Sequence, residues 1–230
     1  GEGHFRTDAG RPPFKAEKGR YESEVEVRLS DEESRLNINY LNVPLLKKLL
    51  SHIDVPEDDI EEMADSLADW VDPDDLHHLS GAEDEYYRVL GYGTKGRALD
   101  VPEELLLVKG FVPEYLYGSP NVKPLYPLVT TLGKGININT IPGELLEVLG
   151  FNSVEIENIL MQRENGGIKV SPAGLAGFGA TGSQNFRIEV SATVKNSPQR
   201  IKVISVINRP PDGTGYKTIY WKESIESGRT

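Results

Sequence analysis

Residues 21–50 read YESEVEVRLSDEESRLNINYLNVPLLKKLL, and the fold turns on a change of period inside this stretch. Tyr21, Val25, Val27 and Leu29 fall on odd positions, with Glu22, Glu24, Glu26 and Arg28 between them. This two-residue alternation belongs to a half-buried strand. From about Asn42 the apolar residues recur at helical spacing, as Leu45, Leu46, Leu49 and Leu50, behind a Pro44 whose fixed φ suits a first helical turn. A strand therefore feeds a helical block.

The helical period persists downstream. Ile60, Met63, Ala64, Leu67 and Val71 predict a second helix, with Glu57, Asp58 and Asp59 in the first turn, where the helix dipole favours anions. A third is expected to start at Asp100, paired with Glu103 as a capping box, and to end at Gly110. A fourth is expected near Thr140, and a fifth from about Ser153 to Arg163, stopped by Gly166-Gly167.

Beyond a Gly-rich loop the two-residue period returns. Phe186, Ile188, Val190 and Val194 alternate with polar neighbours; Arg200 to Asn208 is apolar on both faces, as in a central strand. Tyr216 to Trp221 follows the turn Pro210-Pro211-Asp212-Gly213. The fold class is α+β: residues 21–40 and 171–230 form one antiparallel sheet, residues 41–170 are an inserted helical domain, and residues 1–20 are a flexible lead-in.

The helical block repeats itself. Pro102, Glu104, Leu105, Leu106, Val108, Gly110 and Phe111 recur forty residues later as Pro142, Glu144, Leu145, Leu146, Val148, Gly150 and Phe151. Asn37-Ile38-Asn39 recurs as Asn137-Ile138-Asn139, one hundred residues on. The second copy, with the segment up to Arg163, resembles a helix-hairpin-helix unit of the SAM-like kind. In DNA-binding members, backbone N–H groups of the hairpin hold a phosphate. Here Gly150-Phe151-Asn152-Ser153 lacks the second glycine, and Arg163 is the sole basic residue from Thr140 to Asn165 against five glutamates. A packing role is the reading, and a helix-hairpin-helix DNA-binding module is the alternative.

Charge points the same way. The net charge of −11 argues against a nucleic-acid binder. From Asp54 to Glu85 there are fourteen acids and no Lys or Arg. The absence of cysteine excludes disulfides and thiolate metal sites. No apolar run approaches the roughly 18 residues that cross a bilayer. Because the chain opens on a polar, Pro-bearing stretch, a targeting or membrane segment is expected to have stood ahead of it. Gly177-x-Gly179-x-x-Gly182 matches the dinucleotide fingerprint by letter, but no strand leads into it and a strand follows.

The acidic stretch is the candidate site. Asp72, Asp74 and Asp75 sit just past a helix end, where the dipole disfavours anions, and nothing basic relieves them. A hard cation would: Ca²⁺ takes six to eight oxygens, and Glu83, Asp84 and Glu85 can add ligands from the far side of the loop. The spacing is not that of an EF-hand. A solvated acidic loop is the competing account. His77-His78 flank the acids, but adjacent histidines on a loop seldom converge on one metal. No catalytic set is legible, and enzyme activity is not expected.

Four stretches carry a family. They are Asp31-Glu32-Glu33 with Leu36-Asn37-Ile38-Asn39; Asp69-Trp70-x-Asp72-x-Asp74 with Gly81-Ala82-Glu83-Asp84-x-x-Tyr87; Glu104 to Gly110; and Ile136-Asn137-Ile138-Asn139-Thr140. In this order they resemble the K-type minor pseudopilins of type II secretion, over roughly residues 21–209. The resemblance implies a pilin-like sheet interrupted by a large helical domain. It also implies a periplasmic protein anchored in the inner membrane by an N-terminal helix that is absent from this sequence. Members cap the pseudopilus tip with the I- and J-type minor pseudopilins, in support of protein export. They also bind calcium, a role the motif carries to Asp69, Asp72, Asp74, Glu83 and Asp84, with Asp75 and Glu85 as further candidates.

Overall fold

The computed structural model describes residues 23–175, 178–195 and 197–227. The expected lead-in, residues 1–20, lies outside them, as do Tyr21 and Glu22 of the first strand and Gly177 of the glycine motif. In chain order the elements are β1 (Ser23–Asp31), β2 (Leu36–Asn37), α1 (Val43–His52), α2 (Glu57–Val71), α3 (Asp84–Arg88), α4 (Pro113–Tyr117), β3 (Val129–Thr130), β4 (Ile136–Asn137), α5 (Gly143–Val148), α6 (Ser153–Glu164), β5 (Gly179–Ala180), β6 (Asn185–Val194), β7 (Gln199–Asn208) and β8 (Lys217–Ser227). A 3₁₀ segment spans Pro102–Leu107.

One antiparallel sheet has the order β1-β6-β7-β8, so the strand before the helical block joins the three that follow it, as the change of period requires. Val27 pairs with Val190, Val190 with Val203, Ala192 with Ile201 and Ile201 with Ile225. Because side chains alternate across a strand, this register gathers Val25, Val27, Leu29, Ile188, Val190, Ile201, Val203, Trp221 and Ile225 on one face. That face has no cover among the described residues: Trp221 is 62% and Ile225 66% exposed. The opposite face carries Arg187, Ile204 and Val206, all buried, and meets the helical block, where Lys222 reaches Glu103 at 2.5 Å. The main hydrophobic core, from Leu36 to Leu175, lies within that block.

The junction is built from three consecutive acids. Asp31, Glu32 and Glu33 are 3%, 0% and 8% exposed, which charged residues tolerate only when paired. Asp31 accepts from Asn137 (2.9 Å), Ser183 (2.6 Å) and Thr140 (2.5 Å). Glu32 accepts two bonds from Arg187 (2.6 and 2.9 Å) and one from Thr130 (2.6 Å). Glu33 accepts from Gln184 N–H and Asn185 (2.9 and 2.8 Å). Sheet and helical block are thus locked by hydrogen bonds to one tripeptide.

The internal repeat has a geometric counterpart. In each copy the first Asn accepts the N–H of the third residue at 3.0 Å. In each the second Asn brackets one distant residue, accepting its N–H and donating to its C=O. Asn39 does so to Leu99 (2.8 and 3.0 Å) and Asn139 to Ile168 (2.7 and 2.9 Å). Each copy also forms a two-residue parallel bridge, β2 with β3 and β4 with β5. Gly179 in β5 is required by packing, since a Cβ there would stand 2.1 Å from Ser171 Oγ.

Two expectations about helix starts need correction. Asp100 caps nothing: Val101 precedes the 3₁₀ segment without a side-chain cap, and Asp100 instead pairs with Arg97 (3.0 Å) and Lys95 (2.9 Å). Those cations hold its carboxyl down at about 2, so they outcompete a backbone amide. The fourth expected helix, α5, begins at Gly143 and not at Thr140, whose hydroxyl is committed to Asp31. Among the described residues no helix is long and apolar enough to cross a membrane.

Candidate metal centre

Helix α2 buries Ile60, Met63, Ala64, Leu67 and Trp70. Asp65 and Asp69, four residues apart on one side of it, are also buried and face the loop that follows. Asp65 accepts the Ser80 N–H at 3.1 Å, and Asp69 Oδ1 accepts both the His78 N–H (3.1 Å) and His78 Nδ1 (2.5 Å). Gly81 packs so closely that an added Cβ would lie 1.8 Å from Asp69 Oδ2, which explains a glycine there without any special φ. The loop winds out of α2 through side-chain turns: Asp72, the C-cap, accepts the Asp74 N–H (3.2 Å), and Asp74 accepts the Leu76 N–H (2.9 Å).

Glu83 returns the chain to this place. It is 6% exposed, and neither carboxylate oxygen has a hydrogen-bond partner. Burial raises its pKa, and the charges of Asp69, Asp72 and Asp75 raise it further. An aromatic wall backs the site. Trp70 meets Tyr87 edge-on at 4.9 Å, Tyr87 stacks on Tyr92 at 5.7 Å, and the Tyr87 hydroxyl accepts the Lys109 N–H. These contacts hold α3 against α2 and fix the position of Glu83, the N-cap of α3.

Asp69, Asp72 and His78 each offer a donor atom, all within 4.8 Å of one another. Glu83 is not one of this group of three; it feels the charges of Asp69 and Asp72 and lines a surface depression with Asp75, His77 and Glu85. The expected donors separate here. Asp74 turns into the loop backbone. Asp84 is occupied, accepting from Thr94 N–H (2.8 Å), Thr94 Oγ1 (2.9 Å) and Arg88 (3.1 Å), and the Thr94 bonds hold its carboxyl below the usual range. Glu85 lies exposed at the rim. His78 was not among the expected ligands, because adjacent histidines on a loop seldom converge on one metal; here His78 alone of the pair stands with Asp69 and Asp72. The donor set of crowded carboxylates, one buried without a partner, fits a hard divalent cation.

The hairpin between α5 and α6 offers no comparable site for a phosphate. Asn152 accepts the Val154 and Glu155 N–H groups at 3.0 Å, and Glu155 accepts the Asn152 N–H at 2.8 Å. The capping box satisfies the donors that a DNA backbone would use. Arg163 turns inward to the Ile138 carbonyl at 2.7 Å. The DNA-binding alternative finds no support.

Comparisons with known proteins agree with the fold. Residues 28–132 match the profile of the family described as type II secretion system protein K. The chain is 26% identical over 225 residues to type II secretion system protein K of Pseudomonas aeruginosa, covering 87% of this chain. It spans 65% of that relative's length. It is also similar to a chain in the crystal structure of the GspK-GspI-GspJ complex of enterotoxigenic Escherichia coli. There the TM-score is 0.68 at 21% identity, over 93% of this chain and 84% of that one.

Proposed function

We propose that this chain, whose residues 28–132 belong to the type II secretion system protein K family, is a minor pseudopilin of the K type that works by assembly and not by catalysis. On this reading it caps the pseudopilus tip together with I- and J-type minor pseudopilins and supports protein export. The family match carries the proposal. The partners are suggested by the GspK-GspI-GspJ complex, one of whose chains shares this fold. We read the protein as periplasmic and held to the inner membrane by an apolar helix N-terminal to the present sequence. The uncovered apolar face at Val25, Val190, Ile201 and Ile225 supports this, because it is a surface against which such a helix would pack.

The acidic centre is read as a calcium site. Asp69, Asp72 and Glu83 would supply its inner oxygens, with Asp74, Asp75, Asp84 and Glu85 as further candidates. Bound calcium would supply the positive charge that lets these carboxylates share one loop. Ion at about a hundred times its dissociation constant would add roughly 2.7 kcal/mol to stability.

Sedimentation velocity tests the assembly. The chain mixed with the soluble I and J domains of its own system, in calcium, should sediment as one complex. Three separate monomers at tens of micromolar, repeated with a chain carrying the apolar helix, would reject the tip reading.

A further inference from the structure

One step further rests on the assembly reading. The uncovered apolar face of the sheet is wider than one helix. Four strands at a spacing of about 4.7–4.9 Å span roughly 19 Å, whereas an α-helix with its side chains is about 10–12 Å across. A single helix covers about two strands and leaves a margin bare; two helices side by side, about 8–10 Å apart, cover all four. We propose that the β8 margin of this face, at Trp221, Glu223 and Ile225, receives the apolar helix of a neighbouring minor pseudopilin, beside the helix that this chain itself brings to the sheet.

Of the two margins, β8 is the one left over. The chain enters the sheet through β1, at the opposite edge. Exposure follows the same order: Val25, Val27, Val190 and Val203 are half-buried, while Trp221 and Ile225 stand largely open on the outermost strand. A large aromatic side chain in that position is the kind of anchor on which interfaces depend. Glu223 pairs with Val203 and so lies on the same face, between Trp221 and Ile225; it is exposed and has no ion-pair partner among the described residues. The occupant that fits is an apolar helix bringing a Lys or Arg to Glu223. A second copy of this chain fits less well. Stacked face to face, two copies with a net charge of −11 each would set glutamate against glutamate.

Trp221 reports the outcome, since Trp70, the one other tryptophan, is buried. Acrylamide quenching is measured on the chain extended by the periplasmic half of its own helix. It is run alone and with the soluble I- or J-type domain of its own system, each carrying the corresponding half-helix. Alone, at concentrations where the chain sediments as a monomer, Trp221 should stay quenchable, and Trp221→Phe should remove that signal. With the partner, Trp221 should lose most of its quenching and its emission should shift to the blue. A partner without its helix should leave Trp221 quenchable. Glu223→Lys should keep the melting temperature and weaken the partner by about tenfold or more, the scale of like charges opposed in an interface. Four results would overturn the inference while the tip reading stood: protection by the chain's own helix alone, protection only on self-association, a complex in which Trp221 stays quenchable, or unchanged affinity in Glu223→Lys. If no complex sedimented at all, the tip reading itself would fall.

Discussion

Arg187→Met isolates the junction between sheet and helical block. Glu32 is fully buried and Arg187 nearly so, and the two share bonds of 2.6 and 2.9 Å. Methionine keeps the volume of the stem but leaves the carboxylate without its main cation; Arg35, at 3.9 Å, compensates weakly. Breaking a buried pair from one side costs about 3–5 kcal/mol. At about 2–4 °C per kcal/mol for a chain of this size, the melting temperature should fall by roughly 6–20 °C. The pH dependence separates charge from packing. In wild type, burial pushes the Glu32 pKa up, but the hydrogen bonds and charge of Arg187 outweigh it and the net shift is downward. A depressed carboxyl pKa stabilises the fold above the unfolded value of about 4.3, and this is lost as pH falls through the folded value. Without Arg187, burial is opposed only by the more distant Arg35 and the Thr130 hydrogen bond, so the sign is expected to reverse and the variant to regain stability on acidification. Its deficit should therefore narrow from pH 8 to pH 5, and Glu32→Gln added to Arg187→Met should recover much of it. A deficit below about 1 kcal/mol, or one flat across that range, would refute the account by charge.

Glu83 carries the opposite sign. Its raised pKa means that the protonated form suits the fold, so its contribution is fully present below about 4.3 and is lost as pH rises through the folded value. Glu83→Gln should match or exceed wild type in melting temperature in chelator at pH 7, and should lose any rise that calcium brings; a lower value in chelator would contradict this. Asn139→Ala removes the two bonds to Ile168 and one to the Thr181 carbonyl (2.9 Å). At about 1 kcal/mol per bond, it should cost roughly 2–3 kcal/mol and speed hydrogen exchange at the Ile168 amide. Unchanged exchange there would count against the bracket as a stabilising unit.

The sheet and the longer helices were legible because their period is written in apolar residues. Val25 and Val27 against Glu24 and Glu26 leave little choice, and neither do the leucines of α1. The short helices α3 and α4 were missed, since five residues hold barely one turn of periodic signal. The junction was hidden for a different reason. Asp31-Glu32-Glu33 looks like a solvated turn, and its partners Asn137, Thr130 and Arg187 lie about a hundred residues or more away. At the metal centre the crowding of acids was plain, but which carboxylate is engaged elsewhere was not. Only the fold shows Thr94 and Arg88 taking Asp84 while Glu83 stays without a partner.

The pairing of Asp31 with Phe186 has a consequence for the order of folding. β6 and β7 are separated by four residues and can zip as a local hairpin, with β8 following. β1 must instead close a loop of roughly 150 residues; at about 0.6 kcal/mol per doubling of length, this costs about 3 kcal/mol more than closing a short turn. A helical block that condenses first lowers that penalty, because its edge carries Glu33, whose carboxylate accepts the Gln184 N–H in the fold. The strand that leads the described chain is then the last to join its sheet, and lesions in the helical block should slow the assembly of strands they do not touch.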